Sequence, residues 1–196
     1  MKEKDHFYTY CVLNKKFIKK SNIPNFLLFL EYIEKTLSEF PKEEGDLKII
    51  KNVLSNIYRL FAIPKESEEI LKYVVYLEEK AHELEKIGKT MVKDFIDFAE
   101  IDNDKIRKLN NLRVNIRILE NLFWIAIKEI KINDGLLLVI PHFLNVASKY
   151  IFYYIVVNYK DDLKYIERNL GNIEYNENLY KEYLEKYKNK NLKEYL

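Results

Sequence analysis

The sequence predicts an all-α protein: an antiparallel bundle of five or six helices built around one long apolar central helix. Three observations carry this. The 196 residues include only four glycines and four prolines, too few chain-breakers for the many turns of a sandwich or barrel. Apolar residues recur at alternating spacings of four and three through most of the chain, which gathers them on one helix face. One stretch of 22 residues, 136–157, is apolar nearly all round, as a fully surrounded bundle helix must be.

The length suits a single helical domain over 1–196, comprising a basic N-terminal segment (1–20), the bundle (24–170) and a C-terminal helix (176–196). Residues 7–13 are β-prone, but one such stretch makes no sheet without a partner. Pro24 opens the first helix as a first-turn proline, and Phe26, Leu30, Ile33, Leu37 and Phe40 form its face. Pro41 ends it. Asp46 is a candidate N-cap for the second helix, whose face is Leu47, Ile50, Leu54, Ile57 and Phe61, and Pro64 stops it. The third helix has the clearest pattern. Ser67, Ile70, Val74, Leu77, Ala81, Leu84, Gly88, Met91, Phe95 and Phe98 give nine successive four-three steps, so it is expected to run from about 66 to about 100.

Asp102 or Asn103 then caps a fourth helix with Ile106, Leu109, Leu112, Ile116, Leu119, Phe123, Ala126 and Ile130 inward. Asn133-Asp134-Gly135 closes it, the glycine suiting a left-handed cap. The long apolar helix follows, with a polar continuation to about Leu170. Pro141 either kinks it or marks its true first turn. It is long enough to cross a bilayer, but Pro141, His142, Asn145, Ser148 and Lys149 make lipid exposure costly, so no membrane span is expected. Gly171-Asn172 makes a break, and the last helix carries Tyr180, Tyr183, Leu184 and Tyr187 on one stripe.

Net charge is +2, which gives no overall electrostatic case for nucleic acid or membrane. Residues 1–20 alone carry +4, with Lys2, Lys4, Lys15, Lys16, Lys19 and Lys20 against Glu3 and Asp5; a solvated end is favoured over a phosphate-binding arm. The single cysteine, Cys11, excludes an intramolecular disulfide and fits a reducing cytoplasm. The charged start does not suit a signal peptide, and a cytoplasmic protein is expected.

Phosphate loops, nucleophile elbows and His-Glu-x-x-His motifs are absent. What remains is Glu79-Lys80-Ala81-His82. A carboxylate and an imidazole three residues apart share a helix face and can reach one metal in a bundle core. This is half of the ligand pattern of ferritin-like carboxylate proteins, which use two such pairs; a second Glu-x-x-His is missing here, because Val139 stands three residues before His142. Counting residues from the turn near 102 puts His82 level with Glu120, and Glu34 is wedged among Leu30, Ile33 and Leu37. The candidate ligands for a transition metal, iron or manganese, are therefore Glu34, Glu79, His82 and Glu120. The sequence favours the plainer alternative, a surface histidine paired along a Glu-rich helix.

Arg107, Lys108, Arg113 and Arg117 line the fourth helix. Such a stripe can track phosphates, but Asp102, Asp104 and Glu120 flank it, and surface ion pairing is the expected role. The sixteen tyrosines suit helix packing or a subunit interface better than base stacking. The function expected from the sequence is a non-enzymatic protein-interaction or assembly module, self-associating or meeting a protein partner through 176–196. A carboxylate-bridged metal bundle is the alternative, and nucleic-acid binding the weaker one.

Overall fold

The computed structural model describes residues 24–41, 45–130, 134–167, 174 and 176–188. The basic segment 1–20, the stretch 7–13, Cys11 and the break at Gly171-Asn172 lie outside them. The chain is an all-α helical bundle. Six α-helices and no strand are present among the described residues: α1 (Pro24–Ser38), α2 (Asp46–Ala62), α3 (Ser67–Gly88), α4 (Asp104–Ala126), α5 (Val139–Asn158) and α6 (Glu177–Lys188). Contacts divide the chain into two compact units, Met1–Tyr165 and Ile166–Leu196. The first unit holds α1 to α5, and the second holds α6.

Within the first unit α5 packs on α3 along one flank and on α4 along the other, and α4 packs on α1. α2 touches both outer helices, α1 and α3. Its buried face, Leu47, Ile50, Val53, Leu54, Ile57, Leu60 and Phe61, completes the core. Phe61 meets Phe26 and Phe29 of α1 and Phe123 of α4 at ring separations of 5.0, 5.9 and 6.4 Å. Aromatic edges and faces thus lock three helices at one point. α5 buries twelve of its twenty residues, so the long apolar stretch is the central helix. Pro141 sits in its first turn, where its missing N–H would have had no helical partner.

Helix directions follow from paired residues. The main chain at Asn25 and Phe26 donates to Glu129 (2.9 and 3.1 Å), and Tyr32 donates to Asn115 (3.0 Å), so α1 and α4 are antiparallel. Arg113 lies over Phe152, and the short link from Ala126 to Gly135 makes α4 and α5 antiparallel as well. α3 and α5 run parallel: Glu78 faces His142, Glu85 faces Lys149, and Gly88 faces Tyr153.

That parallel pair exists because α3 stops at Gly88, not near residue 100. Thr90 Oγ1 donates to the Ile87 carbonyl at 2.8 Å, and the amides of Met91 and Val92 both turn back to the Gly88 carbonyl. Asp94 and Asp97 then accept from the nearby amides of Phe95 and Ala99, local bonds that compete with a helix ladder. The segment crosses over the C-terminal end of α5 to reach α4. It pairs on the way with the chain leaving α5, through the Asp97 amide to the Lys164 carbonyl (2.8 Å), an antiparallel bridge between Ile96 and Tyr165, and Asn103 to Asp162 (3.0 Å). The same contacts end the polar continuation expected to Leu170: α5 stops at Asn158, and a 3-10 turn follows at Lys160–Asp162.

Three cap expectations resolve differently. Asn103 caps α4 as expected, accepting from Lys105 and Ile106. Asp46 does not cap α2. Gly45 holds that position at φ 56°, a left-handed backbone suited to glycine, and Asp46 is the first helical residue. Gly135 is not left-handed, since Gly45 is the only residue with positive φ among those described. Asp134 instead caps the 3-10 turn Gly135–Leu138, accepting from the Leu136 amide at 2.9 Å, and α4 has already ended at Ala126, before Ile130.

Candidate functional site

The four metal-ligand candidates are not brought together. His82 projects into solvent, its side chain 64% exposed, and bonds Glu85 three residues on (3.1 Å) rather than joining Glu79. Glu79 and Glu34 are exposed, and Glu120 is half-buried. Among the described residues no group of three or more His, Cys, Asp or Glu side chains can hold a metal ion. His82 and Glu120 do sit at similar depth: the α3/α5 pairs put His82 beside Val146–Lys149, and Arg113 over Phe152 puts Glu120 beside Asn145. They lie on opposite flanks of α5, because α5 separates α3 from α4.

On the α3 flank the cations share a counter-charge. Glu85, whose side chain is only 14% exposed, receives the Lys149 ammonium from α5 and the Lys89 ammonium from one turn along α3 (2.7 Å). His82 completes the group, its Nδ1 being 3.5 Å from Lys149 Nζ. The hydrogen bonds from Lys149 first, and Lys89 second, hold the Glu85 carboxyl down at about 2, against an ordinary value of 4.5. Just beyond, a Cβ on Gly88 would stand 2.6 Å from a Tyr153 ring carbon, so glycine lets the two helices close.

Two further polar clasps join residues far apart in the chain. Asp46 accepts the hydroxyls of Tyr76 on α3 (2.9 Å) and Tyr150 on α5 (3.1 Å). Burial first, and the Asp46 charge second, raise the Tyr150 hydroxyl above its ordinary value. Glu129 caps α1 from a distant part of the chain, accepting from the backbone of Asn25 and Phe26 and from the Asn25 side chain. A Glu at the positive end of a helix is favourable in its own right, but nothing in the local sequence at 129 points to residue 25.

On the α4 flank the basic stripe is ion-paired only in part. Lys108 pairs with Asp104 at 2.6 Å. Arg113 and Arg117 pair with no carboxylate among the described residues. Arg113 is half-buried, and its guanidinium lies 5.3 Å from the Phe98 ring centre and 5.6 Å from that of Phe152. Its Nε and Nη2 both donate to Asn110 Oδ1, at 3.0 and 2.8 Å. Burial first, and the Arg117 charge second, push it below its ordinary value.

Trp124, Ile125, Val114 and Leu28 are exposed apolar side chains of α4 and α1. A shallow cavity of about 290 Å³ opens between α2 and α3, lined by Ile49, Asn52, Val53, Asn56, Ile70 and Tyr73. No family model, no curated protein and no solved structure matches this chain.

Proposed function

We propose that the chain is a helical interaction or assembly module that self-associates through α6. The observation that carries this is the exposed apolar stripe of α6. Leu179, Tyr180 and Tyr183 are 45%, 51% and 46% exposed and fall at helical spacing with Leu184. The helix has twelve residues, about 18 Å, and an isolated helix of that length is marginal in water. Locally, Asn176 caps the amides of Asn178 and Leu179, and Lys181 approaches Glu177 at 4.0 Å. Covering the stripe with a second copy adds stabilisation by burying its apolar surface, and tyrosine is a favoured side chain at such contacts. Burial supports reading the apolar helical stretch Gly135–Asn158 as a core helix rather than a membrane span: 61% of its apolar window is buried.

The test is sedimentation of the full chain over a range of concentration, beside a Leu179→Lys/Tyr183→Lys variant. A concentration-dependent dimer in the parent and a monomer in the variant, with the helical signal of the bundle kept, support the proposal. A parent that stays monomeric throughout contradicts it.

A further inference from the structure

Arg113 is a cation taken half out of water and given no counter-charge among the described residues. Removing a guanidinium from water is unfavourable unless something negative replaces the lost hydration. The two phenyl faces replace part of it through their quadrupoles, and the Asn110 carbonyl oxygen binds one edge of the fork. Neither neutralises the charge. Five N–H donors are available to an arginine. Two are spent on Asn110, so the Nη1 pair and one Nη2 donor are left unused. Arg117, one turn along α4 and exposed, adds a second positive charge close enough to disfavour the first. Glu120, three residues past Arg117, forms an ion pair with neither arginine. Lys149, the nearest cation on α5, is engaged by Glu85. The Phe98 and Phe152 rings and Asn110 thus hold one guanidinium in place while its outer donors face solvent, beside a second cation.

We propose that Arg113 and Arg117 form a binding site for a small dianionic oxyanion, inorganic phosphate or the phosphoryl group of a small monoester. Two adjacent cations with no ion pair among the described residues match a dianion in charge, and the arginine fork matches two phosphate oxygens in geometry. Phe98 and Phe152 are the walls, and Asn110 is the positioning residue that fixes the guanidinium plane. The site is independent of α6 and of self-association.

The full chain is titrated with inorganic phosphate and, separately, with phenyl phosphate, in chloride buffer at constant ionic strength. Calorimetry and the arginine Nε–H resonances are the readouts. Saturable binding that moves the Arg113 Nε–H signal is expected. Arg117→Gln, an exposed change that leaves the core untouched, weakens it about tenfold, the loss of one charge-assisted contact. Arg113→Met keeps an unbranched side chain between the rings and abolishes binding; Arg113→Lys, which keeps the charge but not the fork, weakens it. Tighter binding of phenyl phosphate assigns an organic monoester as the ligand, and equal binding assigns free phosphate. The absence of saturable binding by either probe, or an affinity unchanged in Arg117→Gln, overturns the proposal.

Discussion

The two flanks of α5 carry cations of opposite status. On the α3 flank Lys149 reaches across to Glu85, Lys89 joins it, and His82 closes the group. On the α4 flank Arg113 leans against two rings and a neutral amide, with a second arginine beside it. The first arrangement gives its cations a shared counter-charge and holds two helices together. The second holds a cation still without balancing it. Burial alone therefore does not tell a structural charge from one suited to a ligand; the counter-charge does.

Each flank can be probed separately. The largest effect is expected from Lys149→Met. Glu85 would keep Lys89 but lose its partner from α5, and denaturant unfolding should register a loss of about 2 kcal/mol, between exposed and fully buried pairs. Acid should act on the same contact. Glu85 has a folded-state value near 2, below its ordinary 4.5, so its contribution is complete above about pH 4.5 and fades as pH falls towards 2. Unfolding midpoints followed from pH 6 to pH 2 should drop less steeply across that window in Lys149→Met than in the parent.

Next in size is Gly88→Ala. The new methyl gains helix propensity of about 1 kcal/mol but collides with Tyr153 at 2.6 Å. Overpacking of that kind costs about 1–3 kcal/mol, so a net loss of about 1 kcal/mol is expected in thermal unfolding. A gain instead would show that α3 and α5 have room to spare there. On the α4 flank, Asn103→Ala removes the side chain that caps α4 and ties it to Asp162. Caps are worth about 1 kcal/mol, and a loss similar to that for Gly88→Ala is expected from the same measurement.

Much of the helix inventory was legible in the sequence because it depends on local chemistry. Pro24 and Pro141 fall in first turns, Asn103 caps α4, the four-three stripes of α1, α2 and α4 point inward, and the nearly all-apolar α5 is the buried helix. The end of α3 was not legible. Met91, Phe95 and Phe98 continue its spacing, yet Phe95 is 77% exposed, while Ile96 and Phe98 pack on the core from an extended crossing. Over so short a stretch, period two and period 3.6 place several of the same residues inward, and only the bonds to Lys164 and Tyr165, some seventy residues away, decide between them. That single error carried forward. A continuous hairpin would have set α3 beside α4 and brought His82 to Glu120; the crossing over α5 leaves them at one depth on opposite sides.

The basic stripe shows the complementary limit. The sequence displays Arg113 and Arg117 near acidic residues, and local spacing favours ion pairs. Whether a charge is answered depends on Phe98 and Phe152, which come from two other segments. The tyrosine pair on Asp46 and the Glu129 cap on α1 are of the same kind, joining residues about 30 and 104 positions apart.

The contrast between the flanks is tested most directly by Arg113→Met, measured for stability in chloride buffer without phosphate and set against Lys149→Met. An unanswered cation replaced by an apolar side chain of similar length should leave stability unchanged or raise it, by up to about 1 kcal/mol, while Lys149→Met loses about 2 kcal/mol. A loss at Arg113 as large as that at Lys149 would mean that the α4 flank is as fully compensated as the α3 flank, and would contradict the account.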